Sequence, residues 1–116
     1  MSALFPTSVV GSLPRPDHVR ALLGQPDAGP RLDSAIREAV ALQEDAGLDI
    51  LTDGEWRRAS YIGVIAELAH GFELGTNTDG RPWTIVTETL APKCPGFIAA
   101  EVCYLKTITD RQIKAT

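Results

Sequence analysis

The stretch Gln43-Glu44-Asp45-Ala46-Gly47-Leu48-Asp49-Ile50-Leu51-Thr52-Asp53-Gly54-Glu55 decides the fold. It reads as the last turn of a helix, a glycine stop, a short apolar strand from Leu48 to Thr52 and an acidic turn. Upstream, Ile36, Ala39, Val40, Gln43 and Ala46 recur at helical spacing with only Gln43 polar, and Asp33 is the expected N-cap of that helix. Earlier still, the run Thr7-Ser8-Val9-Val10 enters Gly11-Ser12-Leu13-Pro14-Arg15-Pro16, a buried strand leading into a loop that two prolines keep out of helical geometry. A short helix from Asp17, its cap, to Leu23 follows, with Gly24 as its stop. Two apolar strands joined by a crossover of about 36 residues pair in parallel, because a hairpin needs no such connection.

Downstream, Tyr61, Ile62, Ile65, Leu68 and Ala69 predict a third helix from Trp56 to about His70, ended by Gly71. Phe72–Gly75 and Trp83–Leu90 flank Thr76-Asn77-Thr78-Asp79-Gly80 and predict a protruding β-hairpin. Phe97 to Lys106 predicts a last helix, with Phe97, Ala100, Glu101, Tyr104 and Leu105 along one side, and Gln112 to Thr116 a third strand. The class is α/β. Three parallel strands close no common α/β architecture, and a full (β/α)8 TIM barrel takes about 250 residues. Two readings stay open: residues 1–116 as the N-terminal part of such a barrel, holding its first three strands and crossover helices, or a small complete α/β domain. In the first, the open edge of the third strand invites pairing with another chain, a homo-oligomer included; in the second it is an ordinary edge.

Composition narrows the function classes. The 116 residues carry 11 Lys plus Arg against 15 Asp plus Glu, a net charge of -4, and are 44% hydrophobic. Such a chain folds, and it offers no basic surface for nucleic acid or an anionic membrane. No apolar run reaches the roughly 20 residues of a membrane-spanning helix, and Met1-Ser2-Ala3-Leu4-Phe5-Pro6 lacks a cationic signal segment, so a cytoplasmic location is expected. Cys94 and Cys103 are nine apart, which is no common zinc spacing, and are expected as free thiols.

Ligands of parallel α/β folds bind at the carboxyl ends of the strands. Two loops qualify. Val10, Gly11 and Ser12 follow the first strand, where free amides and the Ser12 hydroxyl suit a carboxylate or phosphate; the alternative is a plain Gly-Ser turn. Asp53 and Glu55 follow the second strand and are able to hold an ammonium group, orient a metal or move a proton; the alternative is that Asp53 caps the next helix and Glu55 sits near its start. Arg57 and Arg58 suit an anionic ligand, a pairing with Asp53, or a solvated face. His18 and His70 are isolated and expected to be structural or surface residues, and Trp56 and Trp83 are expected as packing anchors. No dinucleotide, phosphate-loop or nucleophile-elbow motif occurs.

With these residues in view, Ser8-Val9-Val10-Gly11-Ser12-Leu13-Pro14-Arg15-Pro16 and Gln43 through Arg58 resemble the cobalamin-independent methionine synthase family. Its members are similar in order and spacing: a strand ending in Gly-Ser-x-Pro-Arg, a helix ending in Gln-Glu-x-Ala-Gly, and a strand ending in Asp-Gly-Glu. The likeness continues through Tyr104-Leu105-Lys106 and Thr109 to Thr116. The resemblance implies an eight-stranded β/α barrel and methyl transfer from a polyglutamylated methyltetrahydrofolate to the thiol of homocysteine. Zinc makes the thiolate in that chemistry. It further implies that Val10-Gly11-Ser12 holds the amino-acid carboxylate and Glu55 its ammonium group, with Asp53 beside them on the acidic turn. The family's zinc ligands, a His-x-Cys pair, a Glu and a further Cys, belong to later strands of the barrel, so this stretch is expected to bind no zinc and to be inactive by itself. Alternatives are another methyltransferase or lyase of the superfamily, acting on coenzyme M or a different thiol, and a non-catalytic binding or assembly module.

Overall fold

A computed structural model describes residues 4–59 and 63–116; Met1 to Ala3 of the expected signal-free start, and Tyr61 and Ile62 of the expected third helix, lie outside them. The chain forms two compact units, Met1–Arg57 with Ile98–Thr116, and Arg58–Phe97.

The first unit is built on α2, Gly29–Asp45, which follows the single-turn helix α1, Asp17–Arg20. Neither helix starts as expected. Helix α1 has Pro16 at its N-cap and no side-chain cap. Helix α2 begins upstream of Asp33 with Pro30 in its first turn, where the fixed φ of proline suits the helix and its missing N–H is not needed. The apolar face is as spaced: Ala35, Ile36, Ala39 and Val40 are buried with Val19, Leu51, Trp56 and Leu105 in one core. Ala46 is exposed, because the helix ends one residue before it. Gly47, at φ 78, lets the Gly47 amide reach the Glu44 carbonyl (2.9 Å) and the Leu48 amide reach that of Gln43 (3.1 Å). This paired closure turns the chain straight into β1, Ile50–Leu51.

Gln43 is the one polar residue on the buried face, and it has a use there. Its side-chain nitrogen donates to the Thr52 carbonyl (2.8 Å) and its oxygen accepts from the Thr52 amide (3.1 Å), so the end of β1 is hydrogen-bonded to α2 as if to a further strand. Strand β1 pairs in parallel with β4, Gln112–Ile113, with Ile50 opposite Gln112 and Leu51 opposite Ile113. The first strand is much shorter than expected, a single parallel bridge between Ser8 and Ile50. What fixes that segment is Asp49, whose carboxylate accepts from the Thr7 amide (2.8 Å) and hydroxyl (2.9 Å). The third strand likewise spans two residues rather than five. Between β1 and β4, α4 covers Phe97–Ile108 and buries Glu101 and Leu105 from its expected inner side.

In the second unit, α3 covers only Val64–Leu68, and β2, Ala69–Thr76, pairs antiparallel with β3, Pro82–Pro92. The hairpin is therefore longer than expected, and His70 lies in a strand rather than at the end of a helix. Ala69 and His70 pair with Pro92 and Ala91, so ladder hydrogen bonds win over a helical period too short to sustain itself. Gly71 ends no helix; it lies at a register shift between His70 and Phe72. The connection closes through Asn77, whose amide donates to the Arg81 carbonyl (2.8 Å). Trp83 packs its ring over Gly75, the residue paired with it.

Two outcomes follow for stability. Gln43→Leu leaves the buried amide and carbonyl of Thr52 without the Gln43 bonds, each worth about 1–3 kcal/mol, so a loss of about 2–6 kcal/mol is expected in urea unfolding; a midpoint equal to wild type would refute the role of Gln43. The Thr7 amide, first, and the Thr7 hydroxyl and Arg111 hold the Asp49 carboxyl below its ordinary value of 3.8, against slight desolvation. Because the folded-state pKa is lowered, this contribution is complete above 3.8 and disappears as pH falls through the folded value. Asp49→Asn should therefore flatten the acid limb of the stability profile below that pH and leave its neutral limb parallel to wild type.

Candidate functional site

The two loops expected at the carboxyl end of the sheet do meet. Thr52, fully buried, sits between them: its hydroxyl donates to the Gly11 carbonyl (3.2 Å) and accepts from the Gly54 amide (3.0 Å). The Leu13 amide then donates to the Gly54 carbonyl (3.0 Å), and the Trp56 indole N–H donates to the Leu13 carbonyl (3.3 Å). These bonds join residues about 40 apart in sequence into one shelf above β1.

Gly11 is buried, and the space where a side chain would begin is taken: a Cβ placed there would lie 2.8 Å from Oε1 of Glu55 and 3.1 Å from the Thr116 hydroxyl. Glycine here is what lets the carboxylate come this close. The Glu55 carboxylate thus rests against the Gly11 backbone, and it also accepts from the Thr116 hydroxyl (2.9 Å). Ser12 is exposed at the rim, and the Val10 side chain points to solvent at 95% exposure, so Val10 offers the site its backbone alone. Lys114 brings a cation to the same edge, its Nζ donating to the Val9 carbonyl (2.6 Å).

Asp53 is turned inward. It is buried, and its Oδ1 accepts from the Glu55 amide (2.9 Å), a closed local turn that leaves Glu55 at φ 57. A non-glycine residue in that left-handed region costs on the order of 1–3 kcal/mol, and surrounding bonds must hold it there. Arg15 supplies one, donating from Nη2 to the Glu55 carbonyl (2.7 Å).

The arginines after the turn do not form a solvated face: Arg58 is buried and Arg57 is largely covered. Arg57 pairs with Asp33 rather than Asp53; it bonds the Asp33 carboxylate and lies 5.1 Å over the Tyr104 ring, tying α2 to α4. Asp33, expected as a cap, is spent on this contact. Trp56 is a core residue, as its size suggests. His18 is exposed beside Glu38 (3.1 Å). Four residues at the shelf carry no site role in the sequence reading: Arg15, Thr52, Lys114 and Thr116. Lys114 and Thr116 share one face of the third segment by the two-residue period of a strand, which is the signal that locates them. Arg15 and Thr52 bond backbone atoms of remote loops and leave no periodic trace.

Among the described residues, no three His, Cys, Asp or Glu side chains gather into a group able to hold a metal ion. Cys94 and Cys103 are exposed and unpaired, and a tetrahedral zinc site needs four converging ligands. These residues do not fit zinc.

Residues 5–115 match the family described as the catalytic domain of cobalamin-independent synthase. The chain belongs to the cobalamin-independent methionine synthase family. Within that family it is 26% identical over 129 aligned residues to the 5-methyltetrahydropteroyltriglutamate–homocysteine methyltransferase of Thermotoga maritima, an alignment covering 96% of this chain and 17% of the relative. To a methionine synthase of Saccharolobus islandicus it is 38% identical over 78 residues, 60% of this chain and 24% of the relative. Among solved structures it superposes with a TM-score of 0.63, at 25% identity, on a B12-independent methionine synthase of a Shewanella species in complex with selenomethionine, covering 96% of this chain and 37% of that one. The chain therefore spans a quarter or less of the length of these curated relatives.

Gly11→Ala tests the close approach. Because the nearest atom ends a rotatable side chain, unfolding free energy is expected to stay within about 1 kcal/mol of wild type while the carboxylate is pushed aside. The Glu55 side-chain carboxyl resonance should move; an unmoved resonance would mean that the carboxylate does not rest on Gly11.

Proposed function

We propose that this chain forms the amino-acid-binding part of a methionine-synthase-type barrel, and that the complete activity is methyl transfer from methyltetrahydrofolate to the thiol of homocysteine. One observation carries the reading: the Glu55 carboxylate lies against Gly11 where two loops join at the carboxyl end of parallel strands. An α-amino acid bears its opposite charges one carbon apart, so a recognition site must set an anion beside hydrogen-bond donors. The amides of the Val10-Gly11-Ser12 loop and the Ser12 hydroxyl take the carboxylate; Glu55 takes the ammonium group. Asp53 contributes by bonding the Glu55 amide, and any direct contact of its second oxygen with substrate is secondary.

Gripping both charged groups fixes the α-carbon and aims the side chain, with its thiol, away from the shelf. Orientation of this kind is what a bimolecular transfer gains from its protein. Zinc activation of the thiol would belong to residues outside this set. The parallel order of the Ser8 bridge, β1 and β4, with Ile50 meeting a neighbour on either side, supports the first three strands of a β/α barrel. The selenomethionine complex of the Shewanella relative supports an amino acid as the ligand class.

Calorimetric titration with L-homocysteine and L-methionine tests the reading. Glu55→Gln keeps the shape and removes one charge-assisted contact worth about 1.5–3 kcal/mol, so Kd should rise about 10- to 150-fold with the unfolding midpoint unchanged. Equal affinity in the variant would exclude Glu55 as the ammonium ligand.

A further inference from the structure

We propose that Arg15 is a positioning residue for Glu55, acting on its backbone rather than on the substrate. The proposal rests on the amino-acid reading above and deepens it. Both backbone polar groups of Glu55 are bonded by side chains: its amide by Asp53 Oδ1 (2.9 Å) and its carbonyl by Arg15 Nη2 (2.7 Å). The first bond is local, two residues apart, and forms in any such turn. The second reaches across 40 residues, from the loop that carries Gly11 and Ser12 to the loop that carries Glu55. The Leu13 amide, which donates to the Gly54 carbonyl, also joins these loops, but the Arg15 bond is the one that acts on Glu55 itself.

That conformation is the unusual one, φ 57 at a residue with a full side chain. The sign of φ decides on which side of the chain the Cβ stands. At positive φ the side chain starts toward Gly11 and the carboxylate reaches its observed place 2.8 Å from the missing Cβ. At negative φ the same side chain leaves in another direction and the ammonium site is lost, although every residue of the site is still present. Arg15 is half-buried, and its Nε finds no partner among the described residues, so the side chain is held in place without an acidic partner. An arginine so placed looks like an anion ligand; the donor aimed at the Glu55 carbonyl gives it a different task. Lysine keeps a donor of similar reach, and methionine keeps the stem without the donor.

Two measurements on the 116-residue chain decide the matter, in wild type, Arg15→Lys, Arg15→Met, Glu55→Gln and the Arg15→Met/Glu55→Gln double variant. The first is the NOE between the amide and α protons of Glu55, which nearly eclipse at φ 57 and give a strong signal only in the left-handed region. It should be strong in wild type and Arg15→Lys and weak in Arg15→Met; an equally strong signal in Arg15→Met overturns the proposal. The second is L-methionine affinity by calorimetry. Arg15→Met should weaken it on the order of tenfold when Glu55 is present, with recovery in Arg15→Lys, and should add nothing in the Glu55→Gln background. Additive losses would make Arg15 a direct ligand and overturn the proposal, as would a loss that tracks only the unfolded fraction. If wild type binds no amino acid, the functional reading fails, and the NOE still decides what Arg15 does to Glu55.

Discussion

The paired hydrogen bonds between the Gln43 amide and the backbone of Thr52 are the constraint on which the rest of the first unit depends. Nine residues separate the partners, and between them lie the end of α2, the glycine reversal and all of β1. A buried amide has four hydrogen-bonding directions and no water to fill them, so it accepts one geometry or none. Here the Gln43 nitrogen also donates to the Ala39 carbonyl (2.9 Å), which completes its donors and locks its rotamer. A leucine would fill the same volume and specify nothing about where the strand ends.

From that anchor the site follows by short steps. Thr52 is held by its backbone, which leaves its hydroxyl free to bridge Gly11 and Gly54. The bridge closes the two loops, and the space beside Gly11 that a side chain would use is taken by the Glu55 carboxylate. Strain at Glu55 is then a product of the arrangement. The folded unit spends part of its stability holding one carboxylate where an unstrained turn would not put it.

Much of this was legible in the sequence because it repeats. Ile36, Ala39 and Val40 declare a helix face, and two apolar runs separated by a helix declare parallel strands. Gly11 and Glu55 were found as strand-end residues by the same logic. Boundaries were less legible: Pro30 moved the start of α2 upstream of Asp33, and the pairing of Ala69 and His70 with β3 took two residues from a helix. Both are cases where a contact outside the window outweighs a pattern inside it. Arg15 and Asp53 were visible as charges, but a charge says nothing about whether its partner is a ligand, a side chain or a peptide group.

The bond from Lys114 to Val9 joins residues 105 apart, whereas the bonds from Gln43 to Thr52 close a loop of nine. Loop-closure entropy orders these events in time: the α2–β1 corner is able to form as soon as both pieces exist, the bonds of Thr7 to Asp49 and Leu13 to Gly54 close longer loops, and the Lys114 tether on the first strand comes last. During synthesis the amino-terminal residues therefore leave the ribosome first and settle late. Until Lys114 emerges, the Val9 carbonyl lacks its long-range donor, and this β-prone run, tied on either side by Thr7 and Gly11, is the segment of this unit most open to a chaperone or to a neighbouring nascent chain.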